Sequence, residues 1–150
     1  MEWILRMENR KKNKIKNFKN LKIWQKAHKL SLDIAKLAKT FPKDEKYDLV
    51  SQMRRSARSI PSDIAEGFGR FHFNDKLTFY ERGRSSLLEL RNHFEEALGN
   101  NYIDKNIFHS FQKRMNEVNF LLNRMIGNVK KARDEYELQK KSKRHSSAKR

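Results

Sequence analysis

The sequence contains no cysteine, few residues that break helices and no long apolar run. Without cysteine there is no disulfide framework, no Cys-ligated zinc or iron–sulfur site and no thiol nucleophile. Five glycines and two prolines in 150 residues argue against a turn-rich all-β fold. No apolar run exceeds three residues, so the sequence predicts neither a membrane span nor a signal-peptide core, and we expect a cytoplasmic protein.

Positive charge dominates the composition and is concentrated at the two ends. Thirty-five Lys and Arg residues oppose 18 Asp and Glu residues, for a formal net charge of +17. Both ends also have too few apolar residues to pack. We therefore predict a basic, flexible N-terminal extension over residues 1–20, one domain over 21–136 and a basic, disordered C-terminal tail over 137–150. A surface this basic attracts polyanions.

Between the ends, apolar residues recur in alternating steps of four and three, the spacing that places side chains on one face of a helix. Four such segments occur. The first stops at Pro42, the second contains Pro61, the third opens at Asn74 and the fourth opens at Asp104. Asn74 and Asp104 are predicted N-caps, and Pro61 predicts a kink, or a break that a neighbouring serine caps. Four amphipathic helices with short links predict an all-α, antiparallel up-down-up-down four-helix bundle.

Glycines mark two further features of this bundle. Gly83 falls on the inner stripe of the third segment, where the absence of a side chain lets a neighbouring helix approach closely. Gly67 and Gly69 follow the second apolar stripe, and we interpret them as the end of that helix.

Several large apolar side chains fall outside the predicted core stripes. Wide stripes absorb such residues in many globular helices. Alternatively, they form a second apolar face that is buried against another copy of the protein. We favour the oligomer, because these residues are too many for one seam; they are Trp24, Leu32, Val50, Leu88, Phe120, Leu121 and Ile126. The predicted oligomer interface consists of Trp24, Leu88, Phe120 and Leu121.

Motifs for catalysis or metal binding are missing. The Glu-x-x-His pairs that hold metals in helical bundles do not occur, and the five histidines are scattered. Glu89 and His93 stand one turn apart, and we interpret His93 as an unpaired surface histidine. We therefore predict no catalytic residue, no metal and no cofactor, and a protein that is not an enzyme.

Basic residues form rows on the predicted helices, and Arg54, Arg55 and Arg58 lie opposite the apolar stripe of the second helix. Such rows, together with the basic ends, predict salt-sensitive binding to nucleic-acid phosphates without sequence preference. Phe71 and Phe73 either stack on an unpaired base or plug the end of the bundle, and the burial preference of Phe favours the plug. The predicted nucleic-acid-binding residues are Arg54, Arg55, Arg58, Arg82, Arg84, Lys130, Lys131 and Arg133.

Several motifs in the four predicted helices are distinctive as strings of residues. They are Leu21-Lys22-Ile23-Trp24-Gln25-Lys26-Ala27-His28, Phe41-Pro42-Lys43, Leu49-Val50-Ser51-Gln52-Met53-Arg54-Arg55-Ser56-Ala57, Ser59-Ile60-Pro61-Ser62-Asp63-Ile64-Ala65-Glu66-Gly67 and Ser86-Leu87-Leu88-Glu89-Leu90. Over about residues 20 to 130 the chain closely resembles the bacterial four-helix-bundle family named for 23S rRNA intervening sequences. It departs from the family at Asp63, where Asn is common.

The resemblance implies a ring-shaped homopentamer with no known enzymatic activity. It also implies kinship with the accessory variability determinant of diversity-generating retroelements, which binds a reverse transcriptase and nucleic acid. Two functions follow: an oligomer that binds nucleic acid, RNA in particular, or a protein-interaction scaffold for a partner such as a reverse transcriptase. Charge reversal at Arg54 and Arg55 would leave the second kind of complex intact. A metal- or ligand-dependent enzyme is the weakest reading.

Overall fold

The structure, a computed structural model, describes residues 15–149. This part of the chain forms four α-helices and no β-strand: α1 (Lys22–Ala38), α2 (Leu49–Gly69), α3 (Phe73–Gly99) and α4 (Lys105–Ala148). Short 3₁₀ turns at Phe18–Asn20 and Lys43–Tyr47 precede α1 and α2. The predicted all-α class and four-helix bundle are confirmed.

Each helix packs against the next one along the chain, and α4 returns to α1. The α2–α3 pair has the most extensive contact and the α1–α4 pair the least. Polar contacts fix the direction of the central helices: Arg55 pairs with Glu89, whereas Asp63, eight residues later on α2, lies near Arg82, seven residues earlier on α3. Neighbouring helices are therefore antiparallel, as short links require.

The core fills the space between the four helices. The predicted stripes are buried as expected, with the largest fully buried side chains being Phe94, Leu30, Ile34, Leu49, Met53, Ile60, Ile64, Leu87, Leu90, Met115, Leu122 and Val118. Val50 and Ile126 are also buried, which corrects the prediction that they lie off the core face. Each helix of a square bundle faces two neighbours, so its buried stripe is wider than a single heptad seam.

Two glycines set the distance between α2 and α3. A Cβ atom on Gly67 would lie 2.4 Å from Cε1 of Tyr80, so only glycine fits there without rearrangement. A Cβ on Gly83 would meet Cβ of Asp63 at 3.5 Å, an ordinary contact that confirms the close approach predicted at this position. Gly67 therefore does more than help end α2 at Gly69: it accommodates the Tyr80 ring.

Pro61 lies inside α2, which continues unbroken from Leu49 to Gly69. The predicted break with a serine cap is therefore wrong; the hydroxyl of Ser59 instead donates to the carbonyl of Arg55 one turn earlier, at 2.9 Å. Proline in a helix interior costs about 3 kcal/mol. Burial of Ile60 and Ile64 on either side of it supplies enough packing to hold the helix together.

The predicted N-cap residue is confirmed at α4 and is wrong at α3. The Asp104 carboxylate accepts a hydrogen bond from the Ile107 amide at 2.8 Å, which confirms Asp104 as the N-cap. At α3 the capping position is His72, without a side-chain cap, and Asn74 lies within the first turn. The Asn74 amide oxygen instead accepts a hydrogen bond from Arg133 of α4 at 3.4 Å, so a tertiary contact replaces the predicted cap.

The two predicted flexible ends have different outcomes. Residues 1–14 of the N-terminal extension lie outside the described residues, but Phe18–Asn20 forms a 3₁₀ turn in which Phe18 packs edge-on against Trp24. At the other end, α4 continues to Ala148, which corrects the prediction of a disordered tail over 137–148. No Gly or Pro interrupts this segment, and its Lys, Arg, Gln and Glu residues have high helix propensity.

We expect Gly67→Ala to destabilise the fold by about 1–3 kcal/mol, because the added methyl group must displace the buried Tyr80 ring. Gly127→Ala is the matched control, since nothing lies within 4 Å of its Cβ position; it should gain about 1 kcal/mol of helix propensity. Urea unfolding followed by helical circular dichroism measures both changes. Equal stability of the two variants would contradict the close α2–α3 contact.

Candidate nucleic-acid interface

The three arginines of α2 are exposed, but they are not equivalent. Arg54 and Arg58 have no ion pair among the described residues and project into solvent. Arg55 instead binds the Glu89 carboxylate of α3 and also donates to the Gln52 side chain at 2.8 Å. Arg54 and Arg58 therefore keep their charge available for an anion, whereas Arg55 is already paired.

The Arg55 contact continues into a polar network across the α2–α3 seam. Nε2 of His93 lies 3.4 Å from the Glu89 oxygen that Arg55 binds. The His93 side chain is only 13% exposed, and its Nδ1 atom is buried without a hydrogen-bond partner. His93 is thus a half-buried member of this network, which corrects its interpretation as an unpaired surface histidine.

The predicted basic residues of α3 are held by neighbouring side chains. Arg82 lies 3.9 Å from the Asp63 carboxylate and over the ring of Phe79. Arg84 donates to Asn123 of α4 at 3.0 Å. Arg84 is half-buried at its seam, whereas the Arg82 side chain stays 62% exposed despite its two contacts.

The predicted basic residues of α4 lie where this helix leaves the bundle. Lys130 is 3.6 Å from Glu81, and Arg133 contacts Asp134 as well as α3. Lys131 is exposed and has no ion pair among the described residues. The structure thus distributes the eight predicted residues over three helices. Four of them have no ion pair among the described residues: Arg54, Arg58 and Lys131, which are exposed, and Arg84, which is hydrogen-bonded to a neutral amide.

Beyond Tyr136, α4 extends into solvent as a basic helix, which we call the α4 arm (residues 137–149). Every residue of the arm is exposed. Tyr136, the residue before the arm, contacts Phe73 of α3 with ring centroids 6.0 Å apart, and Lys140 of the arm lies 6.0 Å from the Tyr136 ring. At 1.5 Å per residue the arm is about 20 Å long. It carries five basic residues, Lys140, Lys141, Lys143, Arg144 and Lys149, against the single acid Glu137.

A second basic region, a groove of about 390 Å³ between α1 and α4, is largely neutralised within the chain. Lys26 binds Glu117 at 2.6 Å, and Lys29 and Arg114 both bind Asp33, at 3.2 and 2.8 Å. Burial raises the pKa of Asp33, but hydrogen bonds from Lys29 and Arg114 outweigh it, so the net pKa is lowered. The carboxylate is therefore firmly ionised, and the groove offers little free positive charge.

The predicted interface residues separate into two kinds. Trp24 is half-buried and stacks on the His28 ring at 4.6 Å, and Leu121 is half-buried against the core. Leu88 and Phe120 remain 69% and 65% exposed. Exposed apolar side chains indicate a contact surface, so Leu88 and Phe120 are better candidates for the interface than Trp24 and Leu121.

Hydrogen bonds on either side of Leu88 and Phe120 place the two residues together. Arg84 donates to Asn123 at 3.0 Å and Arg91 donates to Asn116 at 2.8 Å, both across the α3–α4 seam. Leu88 lies between the two arginines on one face of α3, and Phe120 lies between the two asparagines on one face of α4. The antiparallel register therefore brings the two side chains to the same height on the seam, and we call them the Leu88–Phe120 pair.

The two phenylalanines after α2 differ in burial, and only Phe71 contradicts the predicted plug. Phe71 is 59% exposed in the link between α2 and α3, which contradicts the preferred prediction of burial. Phe73 is half-buried against Tyr136.

One polar residue of the α2–α3 seam was not predicted as a site residue. Asp63 is only 5% exposed, and its carboxylate lines an open groove of about 600 Å³ between the two helices. Burial raises the pKa of Asp63, with Arg82 opposing and Glu66 adding to the increase. The sequence spacing could have predicted its burial. Asp63 follows Ile60 by three residues and precedes Gly67 by four, which places it on the buried face of the helix.

The described residues limit other kinds of site. Within residues 15–149, no group of three or more His, Asp or Glu side chains is placed to hold a metal ion. None of the helices in the same range combines the length and the apolar character needed to cross a bilayer.

The protein is thus an antiparallel four-helix bundle with a basic helical extension. Residues 19–124 match the family of the 23S rRNA-intervening sequence protein, and the chain belongs to that family. A crystal structure of a protein of unknown function from the S23 ribosomal protein family of Bacteroides thetaiotaomicron VPI-5482 has the same fold, with a TM-score of 0.65 at 22% identity. The match covers 69% of this chain and 97% of that one. No curated protein matches the sequence.

Truncation after Tyr136 should change the free energy of unfolding by less than about 0.5 kcal/mol, because every residue of the arm is exposed. Truncation after Val129 is the comparison: it also removes the Arg133 and Tyr136 contacts with α3 and should cost more than about 1 kcal/mol. Urea unfolding measures both. A large loss on removing the arm alone would show that it packs on the bundle.

Proposed function

We propose that this protein is a non-enzymatic, cytoplasmic oligomer that binds nucleic acid, RNA in particular, through the phosphate backbone. The α4 arm is the observation that carries this proposal. Its five basic residues are fully exposed and face one acid, whereas several basic residues on the bundle are ion-paired with neighbouring acids.

The arm has the length and charge that backbone binding requires. A polar helix of about a dozen residues without tertiary contacts is marginal in water. Phosphates along the helix would relieve the repulsion among its lysines and arginines, and each contact would release condensed counterions. Arg54, Arg58 and Lys131 add unpaired positive charge on the bundle.

Family membership agrees with this proposal without deciding it. The family description refers to a protein associated with 23S rRNA intervening sequences, which suggests an RNA setting. Binding to the phosphate backbone of a nucleic acid needs positive charge and no side chains that recognise bases. The exposed lysines and arginine of the arm supply that charge.

We further propose that copies associate through the Leu88–Phe120 pair, with the homopentamer implied by the family resemblance as the expected assembly. The pair is apolar, exposed and held in place by the flanking Arg–Asn hydrogen bonds. A rigid apolar patch loses little conformational entropy when it is buried, which favours association.

The second candidate function is a scaffold for a protein partner such as a reverse transcriptase. The exposed Leu88–Phe120 pair is the observation that favours it, since the same surface could bind another protein. Charge reversal at Arg54 separates the two functions: it weakens backbone binding and leaves a scaffold complex intact. Arg55 is less suited to this test than the sequence predicted, because it is bound to Glu89.

Neutralising the arm tests the first proposal. The variant Lys140→Gln, Lys141→Gln, Lys143→Gln, Arg144→Gln should bind a short single-stranded RNA at least about tenfold more weakly in 0.1 M salt. The slope of log affinity against log salt should fall by about 3, since each lost contact accounts for about 0.7. Fluorescence anisotropy of labelled RNA at several salt concentrations measures both.

The matched control removes the same charge at the opposite end of the bundle, with Lys36→Gln, Lys39→Gln, Lys43→Gln and Lys46→Gln. All four lysines are exposed, and the control should retain most of the affinity. An equal loss in both variants would mean that net charge, not the arm, determines binding. Wild-type protein that fails to bind RNA at low salt would refute the proposal.

Polar substitution of the apolar pair tests association. Leu88→Gln with Phe120→Gln should shift the mass measured by light scattering from the oligomer to the monomer, because the exposed pair loses its gain from burial. Leu32→Gln with Leu138→Gln is the control, since these residues are 48% and 67% exposed on other surfaces. A control that dissociates equally would place the interface elsewhere.

A further inference from the structure

The groove between α2 and α3 contains a buried charge that the bundle itself does not satisfy. The Asp63 side chain is only 7% exposed, and the nearest cation is Nε of Arg82, 3.9 Å from Oδ1. Within residues 15–149 the carboxylate accepts no hydrogen bond. Its oxygens are not fully enclosed but open onto the groove, so an incoming group can reach them. Burial of the rest of the side chain still disfavours the charged form.

Asp33 shows how the same chain satisfies an aspartate that it pairs internally. The Asp33 carboxylate binds Lys29 at 3.2 Å and Arg114 at 2.8 Å, and its pKa is lowered. Asp63 is more deeply buried and has neither short contact, and burial raises its pKa. Among the described residues, no cation therefore lies closer than 3.9 Å to the Asp63 carboxylate, and the open groove beside it has space for one.

The lining of the groove favours a cation over an anion. Glu66 and Glu81 line it beside Asp63; Glu81 is 3.6 Å from Lys130, whereas Glu66 has no ion pair among the described residues. Of the two lining arginines, Arg55 is bound to Glu89 and Arg82 lies 3.9 Å from Asp63. Small side chains, including Ser59 and Ser85, leave the groove open, and their hydroxyl oxygens can accept hydrogen bonds from an ammonium or guanidinium group. The chain has a net charge of +17, so this group of carboxylates differs in sign from most of the charge on the protein.

The surface favours a second copy of the chain as the source of this cation. Copies carrying 35 Lys and Arg residues repel one another, so association requires places where carboxylates receive incoming positive charge. The groove lies beside the proposed contact: Ser85 at its edge is three residues from Leu88 on α3, so the two side chains are neighbours on the helix surface. A copy that covers the Leu88–Phe120 pair therefore also reaches the groove.

We infer that the α2–α3 groove receives a lysine or arginine side chain of a second copy, whose cationic group binds the Asp63 carboxylate. This inference rests on the self-association proposed above and adds to it a charged contact with a specific acceptor. Asp63 then serves assembly at the expense of the stability of the single chain, as binding sites commonly do.

Asp63→Asn tests the inference with two measurements. The substitution keeps the shape of the side chain and removes the buried charge, so unfolding at concentrations where the chain is monomeric should require more urea than for wild type. Dissociation of the oligomer, measured by light scattering over a dilution series, should become roughly 30-fold easier, because the incoming cation loses its partner. A variant that is more stable but associates less is the expected result.

Asp33→Asn is the matched control and should behave in the opposite way, with lower stability and unchanged association. Glu66→Gln, an exposed position in the same groove, provides a second variant that does not depend on the core and should weaken association about threefold. Wild-type protein that stays monomeric would refute the proposed self-association. Wild-type protein that assembles, with Asp63→Asn and Glu66→Gln assembling equally well, would refute this inference alone.

Discussion

The close approach of α2 and α3 is the constraint on which the rest of the structure depends. It requires the bare backbone of Gly67 beneath the Tyr80 ring, and it brings the backbone of Gly83 close to Asp63. At this distance the two helices share a long polar seam, in which Arg55, Glu89 and His93 form a network. The same closeness buries Asp63, whose carboxylate would reach solvent freely if α3 were further away.

The electrostatics of the protein separate into paired and unpaired regions. On the bundle, acidic residues neutralise many of the cations that face a seam, as Asp33 and Glu117 do between α1 and α4. Beyond the bundle there is no neighbouring helix to supply acids, so the α4 arm keeps its charge exposed.

Asp33 and Asp63 have opposite effects on the pH dependence of stability. Asp33, whose pKa is lowered, stabilises the fold above its ordinary pKa and loses that contribution as the pH falls through the lowered value. Asp63, whose pKa is raised, favours the fold below its ordinary pKa and loses that contribution as the pH rises through the raised value.

Much of the fold could be predicted from the sequence because helical periodicity is a local property. The alternating steps of four and three located all four helices, and Asp104 capped α4 as its side chain predicts. The break at Pro61 and the cap at Asn74 are wrong because tertiary packing outweighs a local preference in each case, while the alternative of a kink at Pro61 stays a prediction. The C-terminal tail was predicted to be disordered from its low apolar content, although its helix propensity pointed the other way.

The candidate sites depended more on how the helices meet. Exposure of Leu88 and Phe120 agrees with their positions off the core stripes, but their alignment follows from the antiparallel register of α3 and α4. The sequence by itself determined the four helices, their buried stripes and the excess of positive charge, because these depend on residue type and spacing. Only the tertiary structure decided which cations are paired, which apolar residues remain exposed and that Asp63 is buried without a hydrogen bond, because each depends on side chains that are distant in the chain.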